Sequence, residues 1–267
     1  MLQSCRDKRA RFIYPSHPIS SIFLSGVFFI TLTAGFNQEF PQGMILAGLL
    51  VMICIMIAIP VSGGHLNTGV TIFSATMNGR FSGEDLLYVI AQLSASCAGF
   101  FIAWALSPEN MPVPVPGEYT VRTAELSIGP HLIGYSKLNP IIVFLSEAFS
   151  NAMFAPIICA TAPAINGTVP ASRVLSLGIY MVAGLTVLAR VSGAMQNPTA
   201  GFGFVLMHLV YYGANDQFWM MALYYVLAPC VGGFFGGFFT RLWNKWRHEE
   251  RMLEEQLLIE NESKLRY

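Results

Sequence analysis

Asn67 and Asn197 are the two side chains in this sequence best suited to bind a small solute. Each opens a short apolar segment after a glycine-containing approach, SGGHLN in one case and SGAMQN in the other. A carboxamide at the start of a helix caps backbone amides with its oxygen and donates N–H to other oxygens. The positive end of the helix dipole also disfavours cations. The pair indicates a site for neutral, hydroxyl-bearing molecules; the alternative is that each asparagine only caps its helix.

The segments that carry these asparagines are too short to cross a bilayer. They extend from Asn67 to about Met77 and from Asn197 to about Val210, whereas a spanning helix needs about 20 residues. Backbone at membrane depth must be buried in protein or line a wet cavity, because unsatisfied amides are costly in lipid. The segments lie half a chain apart. We therefore predict two re-entrant half-helices that enter from opposite faces and meet along a water-accessible pathway.

The composition is that of a membrane protein. Of the 267 residues, 54% are hydrophobic and 11% are charged, so the apolar side chains exceed what one water-soluble core needs. Fifteen basic and fifteen acidic residues give zero net charge, which argues against binding to nucleic acid. No spacing indicates a metal or cofactor. A multispan enzyme is a weak alternative, because HExxH, GxSxG and paired intramembrane carboxylates are all missing.

Six apolar runs are long enough to be transmembrane helices of about 20 residues. They cover approximately residues 19–35, 43–60, 86–106, 140–162, 174–189 and 218–242. Basic residues precede the first run and follow the last, so the positive-inside rule places both termini in the cytoplasm. The membrane itself is the plasma membrane or an internal one.

These features resemble the aquaporin/aquaglyceroporin (major intrinsic protein) family. The stretch SGGHLNTGVT at 62–71 is similar to the family's first signature, SGAHLNPAVT, and QNPTAGFG at 196–203 is similar to its second, NPARSFG. Similarity continues in YVIAQ at 88–92, in Glu147 and in PCVGG at 229–233. The resemblance implies an all-α membrane protein with six transmembrane helices, two re-entrant half-helices and an inverted 3+3 repeat. It also implies a homotetramer in which each subunit has its own pore.

This architecture predicts three regions. Residues 1–18 form a cytoplasmic N-terminal segment, and residues 19–242 form a channel domain with inverted repeats at about 19–106 and 140–242. Residues 243–267 form a cytoplasmic tail, whose charged and leucine-bearing sequence predicts a short amphipathic helix.

The chain departs from both family signatures. Thr68 and Gly69 stand at the proline and alanine of the first NPA motif, Thr199 follows Pro198 at the alanine of the second, and Ile22 stands at the acidic position of the first helix. Proline's fixed φ suits a helix's first turn, so we expect a retained fold with a looser first half-helix. Family spacing assigns the selectivity filter to Ala47, Leu185, Ala194 and Ala200, the last in place of an arginine.

An apolar filter without an aromatic residue, a histidine or an arginine should be wider and carry fewer donors than a water-selective pore. We therefore expect a passive channel in the lipid bilayer for water and small neutral solutes such as glycerol, urea or ammonia. Loss of the arginine also removes part of the barrier to cations, so a proton or cation leak is a hypothesis. An alternative interpretation keeps the fold without transport, as an adhesion or scaffold protein.

Three further side chains have predicted supporting positions. His65 matches a histidine of the cytoplasmic vestibule, where it packs against the loop or gates with pH. Arg190 lies near the extracellular mouth, where it either reaches lipid headgroups or lends charge to the vestibule. Glu147 is an ionisable group within a span and is expected to accept hydrogen bonds from the second loop's backbone.

Overall fold

The computed structural model describes residues 18–35, 42–106, 139–153, 171–188, 191–192 and 194–265. Within these ranges the regular structure is helical. In chain order the helices are α1 (Pro18–Gly35), α2 (Gln42–Ser62), α3 (Thr68–Met77), α4 (Gly83–Leu106), α5 (Pro140–Ala152), α6 (Ala171–Leu188), α7 (Pro198–Tyr212), α8 (Asp216–Met221) and α9 (Ala228–Leu265), with a π-helical turn at Ala222–Leu227 between the last two.

The two predicted half-helices are present as α3 and α7, which begin directly after Asn67 and Asn197. Among the described residues, the stretches 83–103 and 216–247 are helices long and apolar enough to cross a bilayer, and shorter apolar helices cover 19–31, 48–59, 140–152 and 174–188. The predicted fourth span continues to residue 162, and its part after residue 153 lies outside the described ranges. Large apolar side chains such as Leu24, Leu106 and Val187 are exposed on the outer surface, as expected for a surface that faces lipid.

Close contacts between helices hold the half-helix α3 in place. A β-carbon on Gly233 of α9 would overlap the carbonyl of Gly69, and one on Gly237 would lie within 2.5 Å of the carbonyl of Phe73. On a neighbouring face of α9, the α-carbon of Gly232 lies against the carbonyl of Ala148 in α5. Small residues allow backbones in membranes to approach this closely. The glycines of α9 therefore let it pack closely against both the half-helix α3 and α5.

The helix predicted for the C-terminal tail is the end of α9. Helix α9 continues past residue 242 without a break and ends at Leu265. No glycine or proline follows Gly237, and the tail is rich in glutamate, leucine, lysine and arginine, which favour helix. Lys245 and Glu249 form an i,i+4 pair with 3.8 Å between Nζ and Oε1, which adds a few tenths of a kcal/mol at most. The predicted boundary at residue 242 is therefore not marked by the end of a helix.

Candidate functional site

Asn67 and Asn197 each cap the N-terminus of a half-helix. Asn67 has extended backbone, with φ −137° and ψ 119°, and Asn197 has φ −141° and ψ 104°. The side-chain oxygen of Asn67 accepts a hydrogen bond from the backbone N–H of Gly69 at 2.8 Å. That of Asn197 accepts one from the N–H of Thr199 at 2.9 Å. Both oxygens are thus used for capping, and the carboxamide nitrogens make other contacts.

The two carboxamide nitrogens bind crosswise between the loops. Nδ2 of Asn67 donates to the carbonyl of Gln196 at 3.0 Å, and Nδ2 of Asn197 donates to the carbonyl of Leu66 at 3.3 Å. Each asparagine therefore holds the residue that precedes the other one. This arrangement brings the N-termini of α3 and α7 together. Since each carboxamide nitrogen carries two hydrogens, one hydrogen per asparagine remains beyond this pair of bonds.

Thr68 and Thr199 join the half-helices through a second set of hydrogen bonds. The N–H of Thr68 donates to Oγ1 of Thr199 at 2.9 Å, and the two hydroxyl oxygens lie 2.8 Å apart. The hydroxyl of Thr68 also donates to Oε1 of Gln92 at 3.0 Å. The expectation of a looser first half-helix rested on proline's fixed φ alone. The structure shows that Thr68 adds an N–H and a hydroxyl that a proline would lack.

Gln92 of α4 connects the first loop to a long helix. Its Nε2 donates to the carbonyl of His65 at 2.5 Å and to the hydroxyl of Thr71 at 2.9 Å, and its Oε1 accepts from Thr68. The side chain is buried, with 1% of its surface exposed. A buried amide needs partners for its polar atoms. Gln92 finds such partners in His65, Thr68 and Thr71, so it fixes the geometry of the first loop and the start of α3.

Glu147 of α5 plays the corresponding part for the second loop. Its carboxylate accepts hydrogen bonds from the backbone N–H of Met195 at 2.9 Å and of Gln196 at 2.7 Å. The hydroxyl of Ser192 is a third donor. The hydrogen bonds predicted between Glu147 and the loop backbone are therefore present. The side chain is fully buried, and these donors offset the cost of burying a carboxyl group.

The second loop contains two residues with strained backbone. Ala194 has φ 54° and Gln196 has φ 52°, a region that costs non-glycine residues about 1–2 kcal/mol each. The hydrogen bonds of Glu147 constrain this stretch, and the hydroxyl of Tyr225 donates to the carbonyl of Ser192 at 2.8 Å. Tyr225 lies in the π-helical turn, a feature common near functional sites. Such strain persists where the surroundings over-determine the backbone, as they do here.

The described residues include half of the predicted filter. Ala200 is partly exposed in the first turn of α7, with its N–H 3.4 Å from Oδ1 of Asn197. Ala194 is buried in the second loop. Both carry a methyl side chain without charge or hydrogen-bonding groups. The side chains of Ala47 and Leu185, and Arg190 altogether, lie outside the described residues.

His65 packs against protein on two sides. Its ring meets the ring of Tyr88 edge-on, with 5.5 Å between the centroids, and its Nδ1 lies 3.3 Å from the hydroxyl of Thr71. The side chain is partly exposed. These contacts favour the packing interpretation of His65, and gating by pH stays a hypothesis.

Three residues of the site were not predicted from the sequence. Gln92 carries a recognisable signal, since an amide within an apolar span needs a partner at membrane depth. Ser192 lies in the approach to Asn197, where a hydroxyl alone predicts little. Tyr225 has no signal in the sequence, because its contact with Ser192 depends on the π-helical turn.

Comparison with known proteins places these features in a wider context. The family model described as "Major intrinsic protein" matches residues 19–240. The chain is 28% identical over 237 residues to "Probable aquaporin NIP4-2" of Arabidopsis thaliana, covering 86% of this chain and 71% of that protein. It is 30% identical over 192 residues to "Aquaporin Z" of Bradyrhizobium diazoefficiens, covering 71% and 72%.

Among solved structures, the aquaglyceroporin from Plasmodium falciparum superposes with a TM-score of 0.66 at 19% identity, covering 84% of this chain and 94% of that one. At this identity the similarity concerns the fold alone. It confirms the all-α membrane fold predicted from the sequence.

Proposed function

This chain belongs to the major intrinsic protein family, and on that premise we propose that it conducts small uncharged solutes, such as glycerol, urea or ammonia, in addition to water. Family membership makes it a multi-pass integral membrane protein and a channel for water or small solutes, not an enzyme. The proposal concerns which solutes pass and which residues select them.

The crosswise pairing of Asn67 and Asn197 carries this proposal. Their side-chain oxygens cap two half-helices whose N-termini meet, and their nitrogens donate across the junction at 3.0 and 3.3 Å. Each nitrogen has one further hydrogen, which can donate to the oxygen of a passing solute. The helix dipoles add partial positive charge at the same place. A solute with a lone pair and no net charge fits this environment best.

The residues assigned to the filter favour passage of solutes larger than water. Of the four residues assigned to it by family spacing, Ala47, Leu185, Ala194 and Ala200, none has a charged or hydrogen-bonding side chain. Alanine in place of arginine leaves more room and removes a fixed donor.

The same substitution bears on ions. Without the arginine at position 200, the exclusion of cations depends on the two half-helix dipoles, whose effect falls off within about one turn. We infer a weak proton or cation leak. Patch-clamp recording of membranes that contain the protein tests this, and a conductance at background level during transport of neutral solutes would exclude it.

Family analogy supports two further proposals. The protein assembles as a homotetramer with one pore per subunit, and both of its termini lie in the cytoplasm. Arg190 and His65 then lie at the extracellular and cytoplasmic vestibules respectively. Crosslinking of the purified protein and protease accessibility of tagged termini test these points separately from transport.

Stopped-flow measurements on proteoliposomes test the proposed solutes. The wild type and two variants, Ala200→Arg and the shorter, neutral Ala200→Gln, are compared for water, glycerol and urea. We expect wild-type permeability well above empty liposomes for all three solutes. Ala200→Arg should reduce glycerol and urea permeability by at least about tenfold, since a filled constriction with a fixed charge costs roughly 1.4 kcal/mol or more.

The outcomes separate the alternatives. If water passes and glycerol and urea do not, the broad solute range is wrong. If all three solutes match empty liposomes, the protein is a non-conducting adhesion or scaffold member. If Ala200→Gln and Ala200→Arg act equally, the size of residue 200 and not its charge controls selection.

A further inference from the structure

The two loops of the site are anchored in different ways. The second loop is held by the carboxylate of Glu147, which accepts three hydrogen bonds from it. Where the family resemblance places the matching acid of the first helix, this chain has Ile22, which is fully buried. An isoleucine side chain accepts no hydrogen bond. The first loop is therefore anchored by groups other than a carboxylate at position 22.

The hydrogen bonds around Thr68 and Thr199 form a directed chain that supplies this anchor. The hydroxyl hydrogen of Thr68 goes to Oε1 of Gln92. The hydroxyl of Thr199 must then donate to Oγ1 of Thr68 at 2.8 Å, while Thr199 accepts from the N–H of Thr68 at 2.9 Å. Both hydroxyls are buried. Each donates its hydrogen to one acceptor, and each hydroxyl oxygen accepts one hydrogen bond. Such closed networks fix one geometry.

The two departures from the NPA motifs are therefore complementary. A proline at position 68 has no N–H and no hydroxyl to offer, and its ring would meet the hydroxyl of Thr199. An alanine at position 199 would leave the buried N–H of Thr68 without its acceptor. Either change alone leaves one partner of the bond between the N–H of Thr68 and Oγ1 of Thr199 unmatched. Both together remove that donor and that acceptor at once, which costs less, and Oε1 of Gln92 then loses its hydrogen bond from Thr68.

We propose that Thr68 and Thr199 act as one positioning unit which, with Gln92, sets the register between the two half-helices and thereby aligns Asn67 with Asn197. The alignment follows from adjacency along the chain. Asn67 precedes Thr68 directly and donates to the carbonyl of Gln196, while Thr199 donates its backbone N–H to Asn197. The part of this inference that concerns solute selection rests on the proposed function; the part that concerns the junction does not.

The test uses the full-length protein in proteoliposomes with four variants: Thr68→Pro, Thr199→Ala, the double variant Thr68→Pro/Thr199→Ala, and Thr199→Ser, which keeps the hydroxyl. Thr186→Ala is the matched control, because the hydroxyl of Thr186 lies at an exposed position and donates within its own helix to the carbonyl of Val182. The readouts are glycerol and water permeability per reconstituted protein and the ratio between them.

We expect Thr68→Pro and Thr199→Ala each to lower glycerol permeability on the order of tenfold and to change the glycerol-to-water ratio, a scale typical of coupled neighbours. The double variant should return to within about twofold of the wild type. Thr199→Ser and Thr186→Ala should match the wild type. A double variant that shows the product of the two single effects, or a Thr199→Ala that matches Thr186→Ala, overturns the proposal.

Hydrogen exchange of the first loop provides a readout independent of transport. In Thr199→Ala, the backbone amides of residues 66–71 should exchange about tenfold faster than in Thr199→Ser. If the wild type conducts nothing but this difference is present, the proposed function fails and the junction stands. If the difference is missing, the junction fails whatever the transport result. Should Thr68→Pro not fold, the comparison of alanine with serine at position 199 still decides.

Discussion

The side-chain carboxamide of Asn151 in α5 occupies the space that a methyl group at Gly69 would fill. A β-carbon on Gly69 would overlap Nδ2 of Asn151 and lie 2.8 Å from its Cγ. Asn151 is 1% exposed, and its amide has no hydrogen-bond partner among the described residues. Gly69 and Asn151 are therefore matched in size. The asparagine fits because position 69 carries a glycine where the family motif has an alanine.

Restoring alanine at position 69 should destabilise the protein, because the site is already filled. We expect Gly69→Ala to lower the free energy of unfolding by about 1–3 kcal/mol, the usual cost of overpacking. Asn151→Ala, which removes an amide without a described partner, should cost less. The double variant should recover most of the loss from Gly69→Ala. Thermal unfolding of the purified protein in detergent measures all three.

Gly83→Ala is the control, since nothing lies within 4 Å of a β-carbon placed there. If Gly69→Ala melts at the wild-type temperature, or if Asn151→Ala fails to relieve it, the two residues are not coupled.

The stability of the protein should depend on both acceptor oxygens of Glu147. Glu147→Gln keeps the shape of the side chain but turns one oxygen into an NH₂ group that faces a donor of the second loop. We expect a loss of about 1–3 kcal/mol, the cost of an unsatisfied buried polar group, together with lower solute permeability. Melting temperature and proteoliposome transport give the two values.

Glu250→Gln on the exposed part of α9 is the matched substitution and should change neither quantity. Equal melting temperatures for the two glutamine variants would show that Glu147 does not support the loop.

The sequence predicted the two half-helices of the site and one of their supports. The length of two apolar segments, and an asparagine at the start of each, predicted half-helices α3 and α7. The lone Glu147 in an apolar span predicted a carboxylate that accepts loop amides. These predictions succeed because membrane burial leaves few ways to satisfy polar groups.

Pairs of residues distant in the sequence could not be predicted in this way. Thr68 and Thr199 are 131 positions apart, and each looked like an isolated departure from a motif until the fold brought their hydroxyls together. Nothing in the sequence indicated that Asn151 fills the space beside Gly69. The sequence predicted a helix in the tail after residue 242 but not its continuity with α9, because a change from apolar to charged composition does not by itself end a helix.

The packing of α9 on α3 should depend on the size of residue 233. The α-carbon of Gly233 lies against the carbonyl of Gly69, so any side chain there pushes the half-helix out of place. We expect Gly233→Ala to cost about 1–3 kcal/mol of stability and to reduce permeability, because Gly69 lies two residues after Asn67. Circular dichroism melts and transport assays follow both effects, with Gly83→Ala again unchanged. Wild-type permeability in Gly233→Ala would show that the position of α3 tolerates displacement.

Asn67→Asp should separate the two roles of this side chain. Aspartate is as good a helix cap as asparagine, and its charge is favourable at a helix N-terminus. The variant therefore keeps the cap, but one of its buried carboxylate oxygens faces the carbonyl of Gln196, and the variant should lose about 1–3 kcal/mol of stability. Its carboxylate cannot donate to the carbonyl of Gln196 or to a solute, and it places a negative charge where cations are otherwise disfavoured. Glycerol permeability should fall by roughly tenfold or more, and cation conductance should rise.

Asn78→Asp, at the exposed C-terminal end of the same half-helix, controls for the substitution itself. If Asn67→Asp conducts glycerol like the wild type and passes no current, Asn67 is a helix cap alone and takes no part in selecting solutes.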